Sequence, residues 1–139
     1  MLRVTESFVR DVYEDFTFGR LDRLNDVLDK RVDFISQAPA EFFPYLGRRL
    51  GREETLEALA QTHKVLEVIN FWPLTVLIDG DNAALTVFIQ VKERRTQKFA
   101  QFVAAHFITF QNGKIIKFYG VLNSYDAVHQ LFEKSRSAP

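Results

Sequence analysis

The chain of 139 residues contains no cysteine, one methionine, one tryptophan and four prolines. Without cysteine there is no disulfide, no thiolate nucleophile and no cysteine zinc site, although the compartment stays open on that ground. The chain also lacks net charge: 18 basic residues balance 18 acidic ones. No overall field therefore draws it to nucleic acid or to an anionic membrane. The basic groups Arg48, Arg49, Arg52 and Lys92, Arg94, Arg95, Lys98 are local, have Glu53, Glu54 and Glu93 beside them, and read as solvated loops or hairpin tips. No uncharged run approaches membrane-spanning length, and Met-Leu-Arg-Val-Thr-Glu has no apolar core of a signal peptide. The expected location is the cytoplasm, with no membrane partner. Glycine-rich phosphate loops, paired-carboxylate motifs and metal-ligand spacings are missing as well, so no cofactor and no metal is expected.

What is present is an ordinary globular composition, 47% hydrophobic and 26% charged, with 14 phenylalanines. One domain over residues 1–139, with its own core, is the expected organisation. Wide aromatic rings can line a cavity as well as fill a core.

The longest patterned stretch is Lys98–Phe110, then Gln111-Asn112-Gly113, then Lys114–Asn123. It predicts two long antiparallel strands around a tight turn, with one titratable side chain, His106, on an otherwise apolar surface. Upstream, Leu2–Phe18 predicts a helix with Thr5 as N-cap, Phe8, Val12 and Phe16 four apart, and Gly19 ending it. Leu21–Leu28 predicts a short second helix. Val32–Gln37 predicts a strand with Val32, Phe34 and Ser36 on one face and Asp33 and Ile35 on the other. Ala38–Gly51, with Pro39, Pro44, Gly47 and Gly51, reads as an irregular loop whose Phe42, Phe43 and Tyr45 suit a lid or rim. Arg52–Leu66 predicts a third helix, with Leu56, Leu59, His63 and Leu66 in register.

Strands Val68–Ile78 and Ala83–Lys92 flank Asp79-Gly80-Asp81-Asn82, a hairpin signal. Pro73 requires its strand to lie at an edge or to bulge. A turn over Glu93–Gln97 leads into Lys98–Phe110, Asp126–Lys134 predicts a final helix, and the tail Ser135–Pro139 is expected to fray. Helices gathered before a strand meander imply an α+β domain. A long twisted antiparallel sheet curls, and helices on its hollow side leave a conical cavity.

The helix ending at Gly19, the strand Val32-Asp33-Phe34-Ile35-Ser36, the run from Pro44 to Glu54, the Asp79-Gly80-Asp81 hairpin and His106–Ile115 resemble the nuclear transport factor 2-like superfamily. More closely, they are similar to its ketosteroid-isomerase-like and SnoaL-like polyketide-cyclase-like branch. The resemblance spans nearly the whole chain through element order and turn positions. It implies a cone-shaped, cystatin-like α+β barrel, with three N-terminal helices on the concave face of a strongly curved antiparallel sheet. It does not transmit a substrate, because this fold hosts many chemistries.

A ketosteroid isomerase works with an aspartate base and an oxyanion hole of tyrosine plus a protonated carboxyl group. Aligned on the glycine after the first helix, the tyrosine position falls on Val12, with Tyr13 one residue out of phase. The base position falls at or beside Ser36, and the oxyanion carboxyl position falls on His106. Steroid isomerisation by the aspartate route is therefore not expected.

The resemblance turns the face carrying Phe102, Ala104, His106, Ile108 and Phe110 inward, and implies a pocket also lined by Val12, Phe16, Phe34 and Trp72. An imidazole there can be base or acid near neutrality, its unperturbed pKa being about 6.5. Pocket lining without chemistry and core filling stay open for His106. Tyr13 and Tyr45 can polarise a carbonyl or simply pack, and Ser36 can widen the pocket or bind ligand. An Asp33–His106 pair, needing a bulge, and a Trp72 aimed at the pocket mouth by Pro73 are further options. His63 and His129 read as packing or surface residues.

The expected function is a pocket for a small hydrophobic ligand. One form is a cofactor-independent isomerase, cyclase or dehydratase acting on a hydrophobic carbonyl compound, with His106 moving the proton and Tyr13, Tyr45 and Ser36 orienting the oxygen. The alternative is a non-catalytic binder or an interaction domain. Val103, Ala105 and Phe107 make the opposite sheet face apolar too, so that face needs a cover; the resemblance implies that a homodimer across the outer face supplies it.

Overall fold

The computed structural model describes residues 3–38 and 41–132. The expectations for Leu2, Pro39, Lys134 and the tail Ser135–Pro139 lie outside these residues. Helix α1 (Glu6–Thr17) opens at Thr5, whose Oγ1 accepts from the Phe8 backbone N–H at 3.1 Å. Val9, Val12 and Tyr13 are its buried stripe, at the spacing of one helical face. Gly19 ends the segment at φ +68°, a left-handed conformation that a Cβ would strain. Helix α2 (Leu21–Val27) then runs straight into strand β1 (Leu28–Gln37), which starts four residues earlier than its alternation suggested. Val32, Phe34 and Ser36 are buried on one face of β1, as their spacing predicts.

The segment read as an irregular loop contains a short strand, β2 (Gly47–Leu50), antiparallel to β1. Four residues, two of them arginine, carry too little alternation to announce a strand. Helix α3 (Arg52–Val65) buries Thr55, Ala58 and Thr62 most deeply, with Leu56 and Leu59 of the expected stripe half-buried against the core, and Leu66 opens the next strand. Each threonine hydroxyl donates at 2.8 Å to the carbonyl one turn back, Gly51 and Ala58 respectively, and so can be buried without an orphaned donor.

Strands β3 (Leu66–Asp79), β4 (Asn82–Glu93), β5 (Phe99–Gln111) and β6 (Lys114–Leu122) form the expected antiparallel meander. β3 is an edge strand, and the pairing slips between Pro73 and Thr75, as a ring without an N–H requires. The six-stranded sheet runs β2-β1-β6-β5-β4-β3. It is mixed rather than purely antiparallel, because β1 joins β6 in parallel. That pairing carries the sheet from the meander back to the N-terminal half, curling it without closing it.

Helices α1 and α3 pack on β3 and β1 across the concave side, with α2 between them. Helix α4 (Ser124–Phe132) lies on β5 and buries Ala127 and Leu131. Its Gln130 amide accepts from the Gln101 N–H and donates to the Gln101 carbonyl, standing in for the strand that β6 does not extend that far. Among the described residues no helix is long and apolar enough to cross a membrane.

Candidate functional site

Between the helices and the hollow of the sheet lies a cavity of about 150 Å³ with almost entirely apolar walls. A dry apolar void of this size admits a benzene-sized solute. Its floor is β5 and β6, its far wall is β1, and its roof comes from α1 and α3. The strand parity that buries His106 and Ile108 of β5 and half-buries Phe102 also turns them toward the cavity, and Phe34 and Ser36 enter from β1 by the same alternation. Val12, Tyr13 and Phe16 descend from α1, and Tyr45 comes from the segment before β2.

Two of the expected lining residues lie elsewhere. Trp72 is 50% exposed on the outer face, paired with Phe88, with the Arg10 guanidinium 5.5 Å from its ring centroid. The bulge falls after Pro73, so it does not turn the indole inward. Phe110 is buried under the start of α1, edge-on to Phe8 at 5.7 Å, beyond the end of the cavity. It keeps the parity of His106, but it lies four residues further along β5 and packs against the helix instead of lining the cavity.

The decisive polar contact joins Tyr13 and His106. The Tyr13 hydroxyl lies 2.6 Å from His106 Nδ1, and the two rings stack at 5.7 Å. Phe71 and Phe118 close round the imidazole at 5.7 and 4.7 Å. Burial in this apolar shell drives the His106 pKa down to about 3, so the ring is neutral at physiological pH. Burial likewise pushes the Tyr13 phenol well above its usual range. The neutral phenol can donate to Nδ1, the arrangement that matches the His106 tautomer with its ring proton on Nε2, toward the cavity. The Tyr45 phenol is also raised, by burial first and then by the nearby Glu93 charge. It stands apart from the Tyr13–His106 pair.

Asp33 does not approach His106. It lies on the other face of β1 and binds Arg48 through two hydrogen bonds of 3.1 Å. Among the described residues the cavity lining holds no carboxylate. His63 has a packing role, its Nε2 being 2.7 Å from the Phe16 carbonyl oxygen.

Sequence reasoning missed Phe71, Phe118 and Gly120. Phe71 neighbours Trp72 and takes the opposite face, so the indole drew attention to the wrong parity. Phe118 stacks on Phe34 at 4.7 Å across the parallel β1–β6 pair, and that pairing had no local signal.

Residues 9–118 match the SnoaL-like domain family. The chain belongs to this family. The SnoaL-like domain is similar in structure to a candidate isomerase from Rhodopseudomonas palustris, at 25% identity, TM-score 0.80, covering 88% of this chain and 91% of that one. It is also similar to a nuclear transport factor 2-like protein of unknown function from Burkholderia pseudomallei, at 15% identity, TM-score 0.78, covering 91% and 96%. A third likeness is to a candidate polyketide cyclase from Xanthomonas campestris pv. campestris, at 16% identity, TM-score 0.74, covering 89% and 93%. No curated protein matches the chain. The cone-shaped α+β architecture of the superfamily is thus the fold of this SnoaL-like domain, a small-molecule-binding fold.

Proposed function

We propose that this SnoaL-like domain binds a small hydrophobic carbonyl compound and polarises its oxygen with the neutral imidazole of His106. The observation that carries the reading is the Tyr13–His106 hydrogen bond at 2.6 Å inside an apolar chamber. Tyr13 holds the ring in one tautomer, so the Nε2 proton points at the ligand. In a site with little water, one such donor stabilises developing negative charge on oxygen more than it would in bulk solvent.

Polarising a ketone acidifies its α-hydrogens, so with a water molecule from the open side of the cavity taking the α-proton, the reaction classes served are enolisation, isomerisation and ring closure, without a cofactor. His106 then acts as an electrophile rather than as a base, because a ring with a pKa near 3 takes a proton poorly at pH 7. This agrees with the names of the Rhodopseudomonas and Xanthomonas relatives. Ser36 and Tyr45 are orienting groups in this scheme, and the aspartate route of ketosteroid isomerisation has no carboxylate to run on. The same lack of a proton acceptor favours a second reading, a binder that does not turn its ligand over.

Titration with 2-indanone, a compact apolar ketone, separates the readings. Saturable binding with faster α-hydrogen exchange in D₂O supports catalysis, and saturable binding at the uncatalysed exchange rate supports the binder. No saturable binding of such ketones overturns both.

We further propose that two copies pair through the outer face of the sheet. Leu77 and Phe107 lie on one row across β3, β4 and β5, and Trp72 and Val103 on another, all half-exposed or more. Two apolar rows of this kind, separated only by the row Thr75–Thr86–Ala105, are expected to be covered.

A further inference from the structure

We propose that Ser36, Gly120 and His106 form a recess that takes one sp² oxygen of the ligand, with Ser36 Oγ and His106 Nε2 as its two donors. The proposal rests on the carbonyl-binding reading above and adds to it the second donor and the residue that makes room for the imidazole edge.

The three residues stand in one row across neighbouring strands. Gly120 of β6 pairs with Ser36 of β1 on one side and with His106 of β5 on the other. Two strand spacings put the Cα atoms of Ser36 and His106 roughly 10 Å apart. Paired positions share a face, so Ser36 and His106 both rise into the cavity on either side of a residue with no side chain.

The imidazole uses that gap. A Cβ built on Gly120 would lie 3.1 Å from His106 Cδ2, 3.3 Å from Nε2 and 3.0 Å from Phe118 Cε1. The Nε2 edge of the ring therefore leans over the glycine toward β1, while Nδ1 is held by Tyr13 from above. Gly120 has no left-handed backbone to explain it, unlike Gly19. Its lack of a side chain is a matter of space. It is a positioning residue, acting through the ring it lets in.

Neither Ser36 Oγ nor His106 Nε2 has a hydrogen-bond partner among the described residues, and neither is sealed away from the cavity. Elsewhere on the lining, Thr55 and Thr62 are satisfied by helix carbonyls. Two unengaged donors on the strands either side of Gly120, in a lining otherwise almost entirely apolar, match an oxygen with two lone pairs on an apolar skeleton. A ketone carbonyl or its enolate has that form; an amine or a cation does not.

The test compares acetophenone with α-methylstyrene, which replaces C=O by C=CH₂ at nearly constant shape. In the wild-type protein acetophenone is expected to bind at least about fivefold tighter per hydrogen bond gained, with a lowered C=O stretching frequency. Ser36→Ala should reduce the preference several-fold and reverse part of the frequency shift. Gly120→Ala should displace the ring, seen as changed ¹⁵N shifts of His106, and abolish the preference. Equal affinities with an unshifted stretch in the wild type overturn the recess and leave the cavity standing. An unchanged ratio in Ser36→Ala overturns the two-donor assignment, and failure of both compounds to bind overturns recess and carbonyl reading together.

Discussion

The Tyr13 hydroxyl and His106 Nδ1 meet at 2.6 Å although 93 positions separate them in the chain. One residue comes from the first helix and the other from the middle of the fifth strand. The bond therefore ties the roof of the cavity to its floor, and it engages Nδ1, leaving Nε2 as the nitrogen without a protein partner among the described residues. The effect of this phenol on stability and its effect on the imidazole tautomer can be measured apart.

Tyr13→Phe keeps the ring and removes only the hydroxyl. It leaves Nδ1 buried without a donor, which should cost about 1–3 kcal/mol in urea denaturation. The His106 ¹⁵N shifts should also report mixed tautomers. A loss below about 0.5 kcal/mol with unchanged shifts would show that the bond is neither stabilising nor orienting.

Stability should fall on acidification before most carboxylates titrate. Above pH of about 6.5, His106 is neutral in both folded and unfolded chains. Below it the unfolded chain binds a proton that the folded ring refuses until about pH 3, so unfolding is favoured as pH drops. The slope from this residue approaches about 1.4 kcal/mol per pH unit. His63, lowered chiefly by desolvation, acts in the same direction. In NMR the His106 ring carbon shifts should stay flat from pH 8 to pH 5, and an inflection near pH 6.5 would contradict the buried neutral ring.

Charging the outer face should separate two copies without unfolding either. Val103 and Phe107 are 49% and 50% exposed, so Val103→Lys with Phe107→Lys should change monomer stability by no more than about 1 kcal/mol. Sedimentation should show the wild type as a dimer at micromolar concentration and the double variant as a monomer. A monomeric wild type would remove the dimer from the proposed function.

Much of the architecture was legible because its causes are local. Thr5 caps a helix through its own side chain, Gly19 ends one through its own φ, and Pro73 bulges a strand through its own missing N–H. Val32, Phe34 and Ser36 share a face because the strand repeat is two. His106 could be singled out on the same ground, as one polar side chain on an apolar face.

What tertiary structure alone decided is who meets whom. The parallel β1–β6 pairing joins strands about eighty residues apart, and nothing in either strand names the other. That pairing sets Gly120 between Ser36 and His106, stacks Phe34 on Phe118, and leaves Asp33 outside with Arg48. Which tyrosine reached the imidazole depended on how α1 lies across the sheet, a rigid-body choice settled by packing over the whole concave face. Local chemistry shapes each element by itself, whereas a site is a set of distances between elements, and only the packed core determines those.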